Sequence, residues 1–413
     1  MDEAAVAGAT AAWTIAATAL VLFMTPGLAF FYGGLVKAKS VVSMMMLSFG
    51  SLGLIAVLWI LYGYNMGNMD LIAGVLGNPF SDFGLTNLAA DTEDTAGLAS
   101  ATFGATFAII TTALISGAIA DRAKFGSWML FAGVWATISY FPVQGWVWNT
   151  EGWIFNLGTN MGLSTEVIDW AGGTAVHINA GAAALALAIV LGKRVGFAKG
   201  VHKPHNVPLV LLGAAILWFG WFGFNAGIGD FGSNTTGLIV INTLAAPAAG
   251  VLGWSLIEKF KEGKATAVGA ASGAVAGLVA ITPSAANLSP VWAIVLGVIA
   301  GAVSALAIDL KFKLGFDDSL DVVGIHLVSG FIGCLYLGFF ATGTGLFFSG
   351  SFDQLILQAI SSIAVAVFSF VVAFVVAIGI EKTIGFRVKN EDEIAGIDTV
   401  VHGEEGYAFT EKV

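Results

Sequence analysis

The chain of 413 residues is 57% hydrophobic and 11% charged, with a mean hydropathy of +0.87; soluble domains carry about a quarter of charged residues, so a soluble globule is excluded and a polytopic membrane protein is implied. The net charge of −10 by itself says nothing about nucleic acid, and no nucleic-acid partner is expected; a lone cysteine, Cys334, excludes an intrachain disulfide. The chain opens with Asp2 and Glu3, and its first apolar run is longer than a signal-peptide core, so no cleaved signal is expected.

Apolar runs of spanning length fall near 10–36, 41–63, 98–119, 126–148, 169–192, 208–228, 236–257, 265–281, 290–309, 321–341 and 356–380, eleven in all. Lys37 and Lys39 follow the first run, Arg122 and Lys124 the third, and Lys193, Arg194, Lys199 and Lys203 the fifth. Lys259, Lys261 and Lys264 follow the seventh, Lys311 and Lys313 the ninth, and Lys382, Arg387, Lys389 and Lys412 the eleventh, which accounts for all seventeen cations. The alternate loops hold Asp70, Asp82, Asp91, Glu93, Asp94, Glu151, Glu166, Asp230 and Asp353 instead. Because cytoplasmic loops collect Lys and Arg, the N-terminus is expected outside and the C-terminus in the cytoplasm. Glycines at small-xxx-small spacing, such as Gly269, Gly273 and Gly277, suit helices packed closely in lipid.

An odd block of five runs reverses orientation when it repeats, so runs one to five (about 10–192) and six to ten (about 208–341) are read as an inverted repeat. The eleventh run is expected around the outside. Residues 1–383 then form a transmembrane transport domain, and 384–413 a cytoplasmic tail, read either as a solvated acidic end or as a regulatory handle. The loop near 64–97 lacks Lys and Arg and is expected to be external.

The fifth run, DWAGGTAVHINAGAAALALAIVLGKR, places His177 at membrane depth, where an ionisable side chain is costly and faces a bundle interior or a polar pathway. By itself such a histidine reads equally well as a neutral residue hydrogen-bonded between helices. The tenth run repeats the layout: Asp318 precedes His326 by eight residues, as Asp169 precedes His177. Equivalent places in two inverted halves bring the two histidines to one central interface, making them a paired site. If their rings share a hydrogen bond, desolvation and mutual repulsion keep the pair from becoming doubly charged. Asp169 fits a helix-start carboxylate that also acts at long range through its charge, with direct cation coordination and a buried charge tuning an outer site as the alternatives; Asp317 and Asp321 compete with Asp318 for the matching role. His202, His205 and His402 fall in cytoplasmic segments and read as surface or helix-start residues. No cluster of Cys, His and Glu suggests a metal, and no cofactor motif or nucleophile–base pair suggests an enzyme.

The fifth run, together with PGLAFFYGGLVKAKSVVSMMM, IADRAKF, GKRVGF, KPHNVPLV, GWFGFNAG and DDSLDVVGIH, resembles the ammonium transporter family, Amt/Mep with its Rh relatives, over nearly the whole chain. The resemblance implies an all-α fold of eleven transmembrane helices in a five-plus-five inverted repeat, assembled as a homotrimer in the plasma membrane with one pore per subunit. It implies that His177 and His326 line that pore, that Asp169 lies near an outer recruitment site, that stacked Phe107 and Phe224 close the outer mouth, and that Trp148 serves the vestibule. Read by composition alone, Trp148 belongs to an interfacial belt. Phe103 stands four residues before Phe107, on the same helix face. The family places a serine four residues after the second gating phenylalanine, where this chain has Ile228. The implied activity is recruitment of ammonium, its deprotonation and conduction of ammonia, with or without a separately transferred proton. Alternatives are an Rh-type conduit for ammonia or carbon dioxide, and an ammonium sensor. EDEIAGIDTVVHGEEGY further implies a folded tail that contacts cytoplasmic loops and a PII-type regulatory protein docking on that face.

Overall fold

The structure, a computed structural model, describes residues 3–94, 96–197, 203–228 and 234–408. Asp2, Lys199, His202, Asp230 and Lys412, invoked above, lie outside the described residues. Helices occupy all eleven apolar runs: α1 (Glu3–Leu35), α2 (Ala38–Asn68), α3 (Gly97–Ile119), α4 (125–148), α5 (Gly173–Leu191), α6 (Val207–Ala226), α7 (Thr235–Glu262), α8 (Ala267–Ile281), α9 (Pro290–Leu314), α10 (Val323–Phe340) and α11 (Asp353–Thr383). Among the described residues, nine of these are long and apolar enough to cross a membrane, α4 and the 15-residue α8 being the others. The chain is an all-α polytopic membrane protein.

Glycine sets how closely the second half packs. Gly273 and Gly277 of α8 face the backbone carbonyls of Gly250 and Ala246 on α7, and Gly297 and Gly301 of α9 face the same two residues from the other side. A Cβ at any of these four positions would collide with backbone, so the glycines allow the close approach that helices in lipid use. Gly269 departs from the series and faces the Glu258 carboxylate. The packing partners recur between halves: α1 meets α3 and α6 meets α8, α2 meets α4 and α7 meets α9, α3 meets α5 and α8 meets α10. α11 lies outside, against α5 and α10, with Ile363, Val367, Val371 and Val375 turned outward. Its inner face is polar where it matters, because the Gln358 amide brackets Ile168, accepting from its N–H and donating to its carbonyl at 2.8 Å each.

α2 runs on to Asn68, five residues past the expected end, and the segment after it is built rather than loose. A short hairpin, β1 (Leu71–Ile72) and β2 (Leu76–Gly77), is pinned to the end of α4 and the loop after it: Trp146 of α4 donates to the Val75 carbonyl at 2.7 Å, and Glu151 of the loop accepts from Leu71 N–H at 2.7 Å.

The tail is folded, which overturns the reading of a simple solvated end. Two short helices, α12 (Asn390–Ala395) and α13 (Ile397–His402), follow α11. Glu393 is buried and accepts from Val195 N–H at 2.5 Å and from Arg387 at 2.6 Å. Asp398 is buried and accepts from the N–H groups of Val42 and Ser43 at 3.1 and 2.7 Å, supplying the N-terminal cap that Ser40 does not make. His205 bridges the Val36 carbonyl and the Tyr407 hydroxyl, and His402 packs edge-on against Phe125; both histidines join the tail to the bundle. The basic loops after α1, α3, α5 and α11 therefore gather at one end with the tail.

Replacing Asp398 with Ala should cost about 1–2 kcal/mol, the worth of a lost cap. Hydrogen exchange should quicken at Val42 and Ser43 and stay parental in α6; unchanged exchange at those two amides would contradict the capping role.

Candidate functional site: an aromatic mouth and a paired-histidine passage

A helix that begins inside a membrane leaves its first N–H groups without partners, and no water is there to satisfy them. Asp169 answers this for α5. Its carboxylate accepts from the N–H groups of Gly172, Gly173, Thr174 and Ala175 at 2.9, 2.5, 2.9 and 3.2 Å, and from the Thr174 hydroxyl. Gly172, at φ 110°, makes the sharp entry that an L side chain resists. The preceding peptide is locked by hydrogen bonds from Trp170 N–H to the Pro283 carbonyl and from Ala171 N–H to the Thr282 carbonyl, 3.0 and 3.2 Å. From this cap the first turn opens as a wide π-turn over Gly173–Ile178, whose last turn carries His177.

The start of α10 repeats the device. A π-turn over Val323–Leu327 carries His326, and Asp318 accepts from Val323 N–H at 2.7 Å. The competition among three carboxylates is resolved by partners from elsewhere. Asp317 pairs with Arg194 at 2.9 Å, and Asp321 pairs with Lys311 at 2.6 Å. Burial pushes the Asp317 carboxyl up, but the Arg194 hydrogen bonds and charge outweigh it and hold the group below its ordinary range. Asp318 has no such partner; burial first, then the charge of Asp321, push it up to about 6.

These two interrupted helices bring the histidines face to face. Nδ1 of His177 and Nδ1 of His326 lie 3.2 Å apart, with ring centroids 5.3 Å apart and planes inclined by 20°. Both rings are buried, and His177 Nε2 meets no protein partner among the described residues. One Nδ1 must donate and the other accept, so one ring carries its proton on Nδ1 and the other on Nε2. The space beside them is about 10 Å³ and otherwise apolar, walled by Leu28, Leu114, Leu217 and Val275. That is room for about one water-sized molecule. Trp221 also lines it, stacked on His177 at 5.5 Å and 17° and donating to the Thr282 hydroxyl at 2.9 Å. Sequence reasoning missed Trp221, although it stands three residues before Phe224 on the same face of α6.

Phe224 connects the histidines to the surface, 6.2 Å from His177 and stacked on Phe107 at 4.1 Å and 21°. Phe103 and Trp148 flank Phe107 at 4.9 and 5.9 Å. Beyond this pair opens a vestibule of about 360 Å³ lined by Phe103, Phe107, Trp148, Trp170, Asn225 and Ile228. The Trp148 indole N–H donates to the Asp169 carbonyl at 2.8 Å. Six of the seven singled-out residues thus form one line from vestibule to passage. The seventh, Asp169, turns its carboxylate to backbone N–H groups and does not line the vestibule, so its position is that of a cap.

Long apolar helices around a narrow passage with an aromatic mouth and two central imidazoles define a multi-pass membrane protein. The family model described as Ammonium Transporter Family matches residues 12–407. The ammonium transporter of Mycobacterium tuberculosis H37Rv is 49% identical over 97% of this chain and 91% of that protein, and that of Aquifex aeolicus is 42% identical over 98% and 95%. Among solved structures, a sensor Amt protein superposes with a TM-score of 0.89 at 28% identity over 97% of this chain and 100% of that one. Mep2 of Saccharomyces cerevisiae gives 0.82 at 32% over 92% and 88%. The chain belongs to the ammonium transporter family, whose members are transporters and not enzymes.

Because Asp318 is more basic in the folded protein than in the unfolded chain, folding takes up protons between the ordinary carboxylate value and about pH 6, and its contribution to stability falls as pH rises through that window. Asp318→Asn keeps an oxygen for Val323 N–H and should flatten this part of the pH dependence of thermal unfolding. A parental slope between pH 4 and 6 would contradict the assignment.

Proposed function

We propose that this protein recruits ammonium in the vestibule, strips its proton, and conducts ammonia between Phe107 and Phe224 and along His177 and His326. The observation that carries this reading is the 3.2 Å contact between the two Nδ1 atoms, which supports one acceptor and one donor Nε2 along an otherwise apolar passage. Ammonia can use both; potassium has no proton to give and cannot shed its charge. The aromatic faces at the mouth attract a cation by roughly 0.5 to 2 kcal/mol, and about 10 Å³ beside the histidines leaves no room for a hydrated ion. Whether the removed proton follows by another route does not alter these steps.

The recurring helix pairings and the two Asp-capped π-turns support the inverted repeat, with eleven crossings, the transport domain over 1–383 and the tail over 384–413. The clustering of basic loops with the tail supports a cytoplasmic C-terminus and an external vestibule. The plasma-membrane location and the homotrimer rest on the family resemblance. The folded tail, seated on the loops after α1, α3 and α5, supports a cytoplasmic surface on which a PII-type protein docks. A sensor reading has support in the sensor Amt neighbour, whose fold this chain shares.

Flux separates these readings. In liposomes reconstituted with the protein, an ammonium pulse should drive uptake and an equal potassium pulse none; equal potassium flux would overturn the selectivity argument, and ammonium binding without flux would favour the sensor. A second expectation concerns Ile228, which lines the vestibule and is exposed. An apolar side chain supplies no oxygen to a cation, so Ile228→Ser should lower the half-saturating ammonium concentration by up to about tenfold, worth ~1.4 kcal/mol. Maximal flux should change less. A parental half-saturation with altered potassium exclusion would contradict the outer site.

A further inference from the structure

The vestibule of about 360 Å³ is far larger than ammonium needs, roughly ten times the ~30 Å³ that a water-sized molecule takes in the liquid. Half of the residues that line it are aromatic, Tyr64, Tyr140 and Trp170 joining the four rings of the mouth. Phe107 and Trp148 stand at 89° with centroids 5.9 Å apart, and Phe103 leans on Phe107 at 4.9 Å and 58°, so a guest in this corner meets rings set at several angles. Hydrogen-bond acceptors are scarce by comparison. Asn68 and Gln144 close on each other, Gln144 Nε2 donating to Asn68 Oδ1 at 3.0 Å while Asn68 Nδ2 donates to the Tyr64 carbonyl at 3.1 Å. The Gln144 carbonyl oxygen is buried against Gly67. Asn225 donates to the Thr243 hydroxyl at 3.0 Å, and the side-chain oxygens of Asn225 and Tyr140 are buried too. Ser100 and Tyr64 keep the remaining side-chain oxygens of the wall. The indole N–H groups of Trp148 and Trp170 are engaged by the carbonyls of Asp169 and Asn225, and Ile228, 66% exposed, adds a branched alkyl group.

Ammonium carries four N–H donors, and a wall of rings and alkyl groups leaves most of them to water. A quaternary ammonium ion has the same charge and tetrahedral shape with methyl groups in place of those donors. It leaves water with no unmet hydrogen bond, the rings attract its charge, and its methyl groups gain from apolar contact. We propose that the vestibule is a cage for quaternary ammonium ions, that it holds tetramethylammonium more tightly than ammonium, and that Ile228 sets this preference. Such an ion stops at the mouth and blocks it, because Phe107 and Phe224 stack at 4.1 Å, the space beside the histidines is about 10 Å³, and the ion has no proton to leave behind. The blocking step rests on the vestibule being the entrance for ammonium, as proposed above; the binding step does not.

Two measurements on the full-length protein test it. Calorimetry on the purified protein reads tetramethylammonium binding without reference to flux, and initial rates of ammonium uptake into liposomes, with tetramethylammonium on both faces, read block. The tetramethylammonium dissociation constant should lie below the half-saturating ammonium concentration, and the ion should raise that concentration while leaving maximal flux parental. Trp148→Leu should weaken tetramethylammonium binding roughly tenfold, and Trp148→Phe, which keeps a ring, by less. Ile228→Ser should move the two ions oppositely, weakening tetramethylammonium about threefold to tenfold while ammonium gains. Absence of tetramethylammonium binding at concentrations of ammonium that saturate uptake overturns the proposal and leaves the transport reading standing. Block that lowers maximal flux at unchanged half-saturation also overturns it, since the ion then sits elsewhere, as does an Ile228→Ser shift of both ions in one direction. Tetramethylammonium binding with the expected pattern in the variants, in a protein that carries no ammonium flux, upholds the cage and overturns the transport reading instead.

Discussion

Two buried carboxylates, each set just before a helix that starts inside the bundle, are what the rest of the molecule depends on. Asp169 gathers four N–H groups at the head of α5, and Asp318 takes one at the head of α10. Without them the opened first turns would leave donors unsatisfied at a depth where each costs several kcal/mol. The π-turns they permit rotate His177 and His326 toward each other. A regular α-turn at either place would shift the imidazole around the helix by about a quarter turn, and the Nδ1 atoms would part. The capping therefore lies upstream of the chemistry: it fixes ring direction, ring direction fixes the shared hydrogen bond, and the bond fixes which Nε2 donates.

In the proposed mechanism the passage selects by chemistry as much as by size. Stacked Phe107 and Phe224 offer no oxygen to replace a hydration shell, so an ion pays its full desolvation cost at that point. In the mechanism we propose, ammonium escapes the cost by leaving its proton behind, and the small space beyond suits ammonia. Trp148 joins the mouth to the cap physically, lining the vestibule and setting its N–H on the Asp169 carbonyl. α11 backs the arrangement from outside through Gln358, which holds Ile168 just ahead of the cap.

The apolar runs were fully legible, since a spanning helix needs length and little else, and the two Asp-x7-His segments pointed to the paired histidines before any geometry. Other features depended on contacts no local pattern carries. Asp317, Asp318 and Asp321 look alike in sequence because Arg194, which separates one of them, arrives from the distant loop after α5. The π-turns have no propensity signature, and Trp221 reads as one apolar residue among many. Phe107 and Phe224 could be told from the other phenylalanines by family resemblance alone. The tail misleads by composition: its acids read as solvated, yet Glu393 and Asp398 are buried because the loop after α5 and the start of α2, far away in sequence, offer them N–H groups.

The shared proton between the imidazoles can be read directly by 15N magic-angle-spinning spectra of histidine-labelled protein in bilayers, with the two Nδ1 atoms assigned through their mutual proximity. The account predicts unlike tautomers, one ring protonated at Nδ1 and the other at Nε2, with a single proton correlated to both Nδ1 atoms. Two rings both protonated at Nε2, with no proton between the Nδ1 atoms, would contradict it.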